Sequence, residues 1–356
     1  MSADRDKVKV LIWGLGAMGS GMADMLLDKE GVEITGVCDL HPNRVGKSLF
    51  EVLNRPRQTH PEVIIEDDID GLLNVIQADV ALLATDSFTA KAAPKIKKLA
   101  SRGINIISTA EEMSYPQAQS PDLTREIHEA AKAGGVSVLG CGINPGLIMD
   151  LLVVMLTGAC RDVDKIRAER VNSLSPFGPA VMEEQGVGLS LDEFNEGIKN
   201  GGIAGHVGFP ESVRMITDGI GWNLDGPVEQ TQDAIVSTVP RQTEYIKIAA
   251  GEVAGCDQRG TGFVGGEARV RMVHPQQIEP EEEGTATGDY ITITGTPNIA
   301  MSINPEIPGG IGTIAMCVNM IPQVINASPG LKTMLDLPVP RAIMGDMRDR
   351  IERRTS

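Results

Sequence analysis

Six residues near the N-terminus, Gly14-Leu15-Gly16-Ala17-Met18-Gly19, constrain the fold more than any other feature of the chain. They follow the apolar run VKVLIW and open the stretch SGMADMLL, so a strand enters a glycine turn and leaves it as a helix. In such a turn the first glycine makes the tight bend and the second lets backbone approach a pyrophosphate. The third allows close packing of helix on strand. The unpaired N–H groups and positive dipole end of the helix suit the phosphates. The next apolar run, VEITGVCD, brings Asp39 to its end, where a carboxylate accepts both ribose hydroxyls of NAD. His41, Asn43 and Arg44 follow, and Arg44 is placed to pair with a 2′-phosphate if the loop turns inward. The residues therefore predict NAD as cofactor and leave NADP open.

The first 150 residues continue the same rhythm. EVIIEDD, ADVALLAT, GINIISTA and VSVLGCG are short apolar runs, with helical stretches such as AKAAPKIKKLASRG and PDLTREIHEAAKAGG between them. Near-continuous apolar strands alternating with helices predict a parallel sheet covered on both faces, a doubly wound Rossmann-type α/β domain over residues 1–150. From about residue 151 to 310 the alternating runs GEARVRMVHP and GDYITITG, with helical pieces between glycine-rich loops, predict a mostly antiparallel α+β domain. A third segment, 311–356, opens with one strongly apolar helix, IGTIAMCVNMIPQVIN, expected to pack on the first domain or on a partner subunit.

Ligands of a doubly wound sheet sit beyond the carboxyl ends of its strands. Thr85, Asp86 and Ser87 end one strand and are expected near the nicotinamide ribose, with Asp86 or Ser87 equally suited to cap the following helix. Asn144, in Gly142-Ile143-Asn144-Pro145, ends another and is assigned to the cofactor. Glu111 and Glu112 end a third. Two adjacent carboxylates in an extended segment point opposite ways, so one would face the cleft as a general base and the other would be structural or solvated. Arg170, Asn172 and His206 are candidates for holding a substrate carboxylate. Arg170 equally suits a salt bridge at a strand edge. His274-Pro275 reads as a turn closing a strand.

Acidic residues outnumber basic ones 48 to 32, a formal charge of −16, which argues against nucleic acid and anionic membrane surfaces as partners. Aromatic residues make up only 3% of the chain, too few for base-stacking platforms. The five cysteines and five histidines are scattered, without metal-ligand spacing. With no signal-like or membrane-length apolar segment in view, the sequence predicts a cytoplasmic protein with reduced thiols.

The segments VLIWGLGAMGSGMA, NIISTAEEMSYP, GCGINPGLIMDLL, AERVNSLSPFGP and TMLDLPVPRAIMGD resemble the 2,4-diaminopentanoate dehydrogenase family, across nearly the whole chain. That family is related to native amine dehydrogenases and, more distantly, to dihydrodipicolinate reductases. The resemblance implies NAD(P)-dependent oxidative deamination of 2,4-diaminopentanoate through an imine, a place in ornithine degradation, and a homodimer. It puts a catalytic glutamate at the Glu111–Glu112 pair, with Glu111 favoured. The paired histidines of the reductases and the Gly-Gly-x-Lys segment of amino-acid dehydrogenases are both missing from the sequence. Two other readings share the fold: a dehydrogenase of simple amines working by reductive amination, and a non-catalytic dinucleotide sensor.

Overall fold

The computed structural model describes residues 6–352. The chain forms two compact units, one running to Leu147 and resuming at Gly309, the other Ile148–Pro308. In the first unit β1 (Val8–Trp13), α1 (Ala17–Leu27), β2 (Val32–Cys38), α2 (Leu49–Val52) and β3 (Ile65–Glu66) come first. They are followed by α3 (Ile69–Val75), β4 (Val80–Leu83), α4 (Thr89–Ala100), β5 (Asn105–Ser108), α5 (Pro121–Ala133) and β6 (Ser137–Gly140). The strands pair in parallel in the order β3-β2-β1-β4-β5-β6. The chain thus reverses its winding at β1, and the crevice between the ends of β1 and β4 is the switch point where such sheets take dinucleotides. The strands VALL, NIIS and SVLG are buried at every residue. Helices such as α4, through Ala92, Ala93, Ile96, Leu99 and Ala100, supply the cover that a parallel sheet needs.

The second unit holds α6 (Leu151–Thr157), β7 (Asp162–Ser173), α7 (Pro179–Glu184), α8 (Leu191–Asn200) and α9 (Phe209–Ile220). After these come β8 (Glu229–Val236), β9 (Arg241–Gln242), β10 (Lys247–Ile248), β11 (Val253–Val264), β12 (Glu267–Gln277), β13 (Gly288–Thr296) and β14 (Ile299–Ile303). Six of these strands form a sheet ordered β14-β13-β7-β12-β11-β8, in which β12–β7 is the one parallel pair among the described residues. β11 turns into β12 at Gly265-Gly266, both with positive φ, the backbone a two-residue hairpin turn requires. β12 runs through His274 and Pro275 to Gln277, so that dipeptide lies inside a strand and is no turn. The register with β7 lacks partners at these two positions, and a residue without an N–H is tolerated where the ladder is interrupted.

The tail returns to the first unit as α10 (Gly309–Asn319), α11 (Ile321–Asn326) and β15 (Gly330–Lys332), the last pairing in parallel with β6 as a seventh strand. The apolar run expected to be one helix is therefore two. Pro322 lacks the N–H that would continue α10, and α11 begins instead with this proline in its first turn. No described helix is long and apolar enough to cross a membrane, and no described group of three or more His, Cys, Asp or Glu could hold a metal ion.

Candidate active site

Each glycine of the turn between β1 and α1 has a separate steric reason. Gly14 has φ +95°, and a Cβ there would lie 2.4 Å from the Ala84 carbonyl oxygen. A Cβ on Gly19 would lie 1.8 Å from the Gly14 carbonyl oxygen, so helix and turn interlock only without side chains. A Cβ on Gly16 would meet nothing within 4 Å. The fold therefore does not need a glycine at position 16; an approaching phosphate does. Gly16 precedes α1 with no side-chain cap, Leu15 is buried, Ala17 is exposed, and Met18 reaches toward Gly310. The helix N-terminus is left with unpaired amides for an anion.

Asp39 locks this turn to the end of β2. Its Oδ2 accepts the Leu15 amide at 2.5 Å, and its Oδ1 accepts the His41 amide at 2.7 Å. Arg44 Nη1 donates to Oδ2 at 3.4 Å. Burial pushes the Asp39 carboxyl up, but the Leu15 and His41 amides and the Arg44 guanidinium outweigh it and hold the group below the usual carboxylate range. The side chain is thus an oriented carboxylate, and Oδ1, which has a single donor, keeps a lone pair for a hydroxyl. Arg44 stands at its edge, 30% exposed.

At the end of β4, Lys95 Nζ donates to Thr85 Oγ1 at 2.8 Å and to Asp86 Oδ2 at 2.5 Å, and Thr85 Oγ1 donates to the same Asp86 oxygen at 2.6 Å. Burial raises the Asp86 carboxyl, yet the bonds from Lys95 and Thr85 leave it lowered. Neither Asp86 nor Ser87 caps α4. That amide, on Thr89, is bound by Glu112 Oε2 at 2.7 Å, while Ser87 accepts the Glu112 amide through its carbonyl at 3.2 Å. The pair Glu111–Glu112 starts a 3-10 turn, Glu111–Ser114, so the extended alternation expected of it does not apply. The Glu112 side chain is bound to the start of α4. Beyond β6, Asn144 holds both Nδ2 and Oδ1 sealed from water with no partner among the described residues. An orphaned carboxamide at a strand end of this sheet fits a ligand such as the predicted dinucleotide.

In the second unit a polar row crosses one face of the sheet. Gln258 on β11 lies opposite His274 on β12, His274 Nδ1 bonds the Arg170 carbonyl at 2.7 Å, and Arg170 on β7 lies opposite Asp289 on β13. All four residues are buried. The Arg170 guanidinium binds Asp289 Oδ1 and, at 2.5 Å, the Ile307 carbonyl, while Asp289 Oδ2 accepts the Ile307 amide at 3.0 Å. The expectation that Arg170 receives a substrate carboxylate is corrected: its charge is spent on Asp289, and it clamps the segment around Ile307. Breaking such a pair leaves an uncompensated buried charge. Two atoms beside this row are left over, Asn172 Oδ1 and His206 Nε2, both sealed and unpartnered among the described residues. The His206 backbone is fixed by Gln258, whose Oε1 accepts its amide at 2.5 Å and whose Nε2 donates to its carbonyl at 3.0 Å. Its ring packs edge-on against His274, with centroids 4.8 Å apart.

Burial, with the Arg170 charge adding to it, pushes the His206 imidazole down to about 3. A folded-state value below the unfolded one means that the unfolded chain takes up a proton first, so stability is lost as pH falls below the free-histidine value near 6.5. Replacing His206 with Asn is expected to shrink the stability difference between pH 7 and pH 4.5 by about 2.5 kcal/mol, at 1.36 kcal/mol per pH unit per proton. Urea unfolding at the two pH values checks this, and an unchanged difference contradicts it.

Several partners were not found from sequence: Lys95, Asp289, His274 and Gln258. Each meets its group through tertiary pairing, and only the strand alternation of Gln258, His274 and Arg170 with buried neighbours offered a signal.

Residues 147–353 match the family model described as 2,4-diaminopentanoate dehydrogenase C-terminal domain. The chain is 59% identical over 346 residues to the 2,4-diaminopentanoate dehydrogenase of Acetoanaerobium sticklandii, covering 97% of this chain and 98% of that one. It is 24% identical to an amine dehydrogenase of Streptomyces virginiae, covering 94% of this chain and 98% of that protein. Among solved structures, amine dehydrogenase from Mycobacterium smegmatis superimposes with a TM-score of 0.85 at 26% identity, over 97% of this chain and all of that one.

Proposed function

The chain belongs to the 2,4-diaminopentanoate dehydrogenase family, and from that membership we propose that it removes the C4 amine of 2,4-diaminopentanoate with Glu111 as general base. The products are 2-amino-4-oxopentanoate and ammonia. One observation supports Glu111 over its neighbour: the Glu112 carboxylate binds the Thr89 amide at the start of α4 and so has a structural task of its own.

Glu111 takes a proton from the C4 ammonium, so that the nitrogen lone pair can stabilise positive charge at C4. The nicotinamide, when bound, supplies the redox chemistry by accepting the C4 hydride. The resulting iminium needs a water molecule, and Glu111, now able to exchange the proton it took, helps that water add and helps ammonia leave. Within the second unit, Asn172 Oδ1 and His206 Nε2 are buried acceptors, which suit an ammonium group and not the carboxylate expected of these residues. Gly14, Gly16 and Gly19, with the start of α1, hold the pyrophosphate. Asp39 takes the ribose hydroxyls, and Thr85, Ser87 and Asn144 line the nicotinamide side.

NAD is the cofactor this arrangement favours, because the ionised Asp39 repels a 2′-phosphate, and Arg44 gives NADP a foothold. Arg44→Ala is expected to raise KM for NADP at least tenfold and to change KM for NAD less than threefold, as measured by initial rates; equal effects on both contradict the role. The reaction belongs to ornithine degradation in the cytoplasm. A homodimer is expected, and β8 and β14, at the two edges of the second-unit sheet, are candidate pairing edges. Initial rates with 2,4-diaminopentanoate and with 2-aminobutane test the substrate. The diamine is expected to be favoured at least a hundredfold in kcat/KM, and the reverse preference would support the simple-amine reading.

A further inference from the structure

A cavity of about 270 Å³ lies where α11, β15 and the tail meet, within the first unit. It opens at the β15 edge of the sheet, four positions and hence about 19 Å across the sheet from β1 at roughly 4.8 Å per strand. Gln323, Lys332, Asp336, Arg341, Arg350 and Glu352 line it. Opposite charges thus face one space, yet no ion pair within 4.0 Å joins any two of them among the described residues. Most other described arginines, such as Arg55, Arg170, Arg241 and Arg348, hold a carboxylate. Among the described residues the side chains of Arg341 and Arg350, both exposed, hold none.

Among the described residues Lys332 Nζ bonds only Ser328 Oγ, at 2.9 Å, and Asp336 uses Oδ2 to bind the Thr333 amide and hydroxyl at 2.7 and 2.8 Å. Gln323 is 8% exposed, and its Oε1 is sealed without a partner. A buried carbonyl oxygen of this kind calls for a donor. Asp336, Arg341, Arg350 and Glu352 are exposed and hydrated, so the sealed Gln323 oxygen is the one group here that lacks a partner among the described residues. A plain anion would engage the arginines without supplying it a donor. A molecule with a carboxylate next to an ammonium serves both. The volume is just below the 300–1,000 Å³ usual for drug-sized sites, which suits a small metabolite and not a nucleotide.

We propose that this cavity is a binding site for a small α-amino acid in its zwitterionic form, separate from the residues that act on the substrate. Arg341 and Arg350 take the carboxylate. The Gln323 oxygen and the carboxylates of Asp336 and Glu352 take the ammonium.

Isothermal titration of the full-length protein with L-alanine, propionate, ethylamine and inorganic phosphate tests the proposal without relying on turnover. L-alanine is expected to bind saturably, with propionate, ethylamine and phosphate each at least tenfold weaker. In Arg341→Gln/Arg350→Gln the L-alanine affinity is expected to fall at least tenfold, while kcat/KM for 2,4-diaminopentanoate stays within twofold. If that double variant does not fold, Arg341→Gln alone must weaken L-alanine at least threefold. The proposal is overturned by any of three results: no saturable binding, binding unaltered in the variants, or propionate or phosphate binding as tightly as L-alanine.

Discussion

Glu111→Gln is expected to lower kcat about a thousandfold, within the 10²–10⁴ range of a lost general base, while the affinity for NAD stays within threefold. The amide keeps the shape of the carboxylate but does not take the ammonium proton, so the C4 nitrogen stays cationic and holds no lone pair to assist C–H cleavage. Glu112→Ala should behave in the opposite way. Its carboxylate caps Thr89 at 2.7 Å, so its loss is expected to cost about 1 kcal/mol of stability, as for other lost helix caps, with kcat within fivefold. Steady-state kinetics and urea unfolding of both variants separate the roles. A thousandfold loss in Glu112→Ala alongside a working Glu111→Gln would move the base to the second glutamate.

The second large effect belongs to the phosphate turn. Gly16→Ala is expected to leave the thermal midpoint nearly unaltered, because its new methyl meets nothing within 4 Å, and yet to weaken NADH binding a hundredfold or more. On the proposed placement the methyl stands where the pyrophosphate needs backbone. Gly19→Ala is different in kind. Its Cβ would lie 1.8 Å from the Gly14 carbonyl oxygen, so turn and helix must separate, and stability and binding are expected to fall together. Fluorescence titration with NADH, beside thermal unfolding of each variant, reads both. Tight NADH binding by Gly16→Ala would contradict the placement of the phosphates.

These two groups of residues differ in how far sequence alone could place them. The glycine spacing between VKVLIW and SGMADMLL is a local instruction: strand, bend and helix follow from residues within six positions, and the order of β1, α1 and β2 was legible from it. The alternation of apolar runs and helices likewise carried the parallel sheet. Its seventh strand was not legible, since β15 pairs with β6 across nearly two hundred residues and is only three residues long. Arg170 could be read as a ligand or as half of an ion pair, because its partner Asp289 lies 119 residues away on a strand whose register no local pattern fixes. The same holds for Glu112, whose bond to the start of α4 spans 23 residues. His274 was misplaced for another reason: a proline after it signals a strand end in isolation, and only the interrupted ladder of β12 with β7 tolerates it.

The acidic balance of the chain accords with its substrate without selecting it. A diamine with one carboxylate is net cationic near neutrality, so a protein at −16 attracts it, though salt screens that attraction beyond about 10 Å. The anionic dinucleotide gains nothing from that balance, and on the proposed reading it is held locally by the turn at Gly14–Gly19.

The central claim is that the C4 amine, and not the C2 amine, is oxidised. The most direct measurement mixes purified protein, NAD and 2,4-diaminopentanoate, follows NADH by absorbance, and identifies the amino ketone formed. The account predicts NADH and ammonia in equal amounts, with 2-amino-4-oxopentanoate as the product and its C2 amine intact. Formation of 4-amino-2-oxopentanoate, or of no NADH with this diamine while a simple amine is turned over, would contradict it.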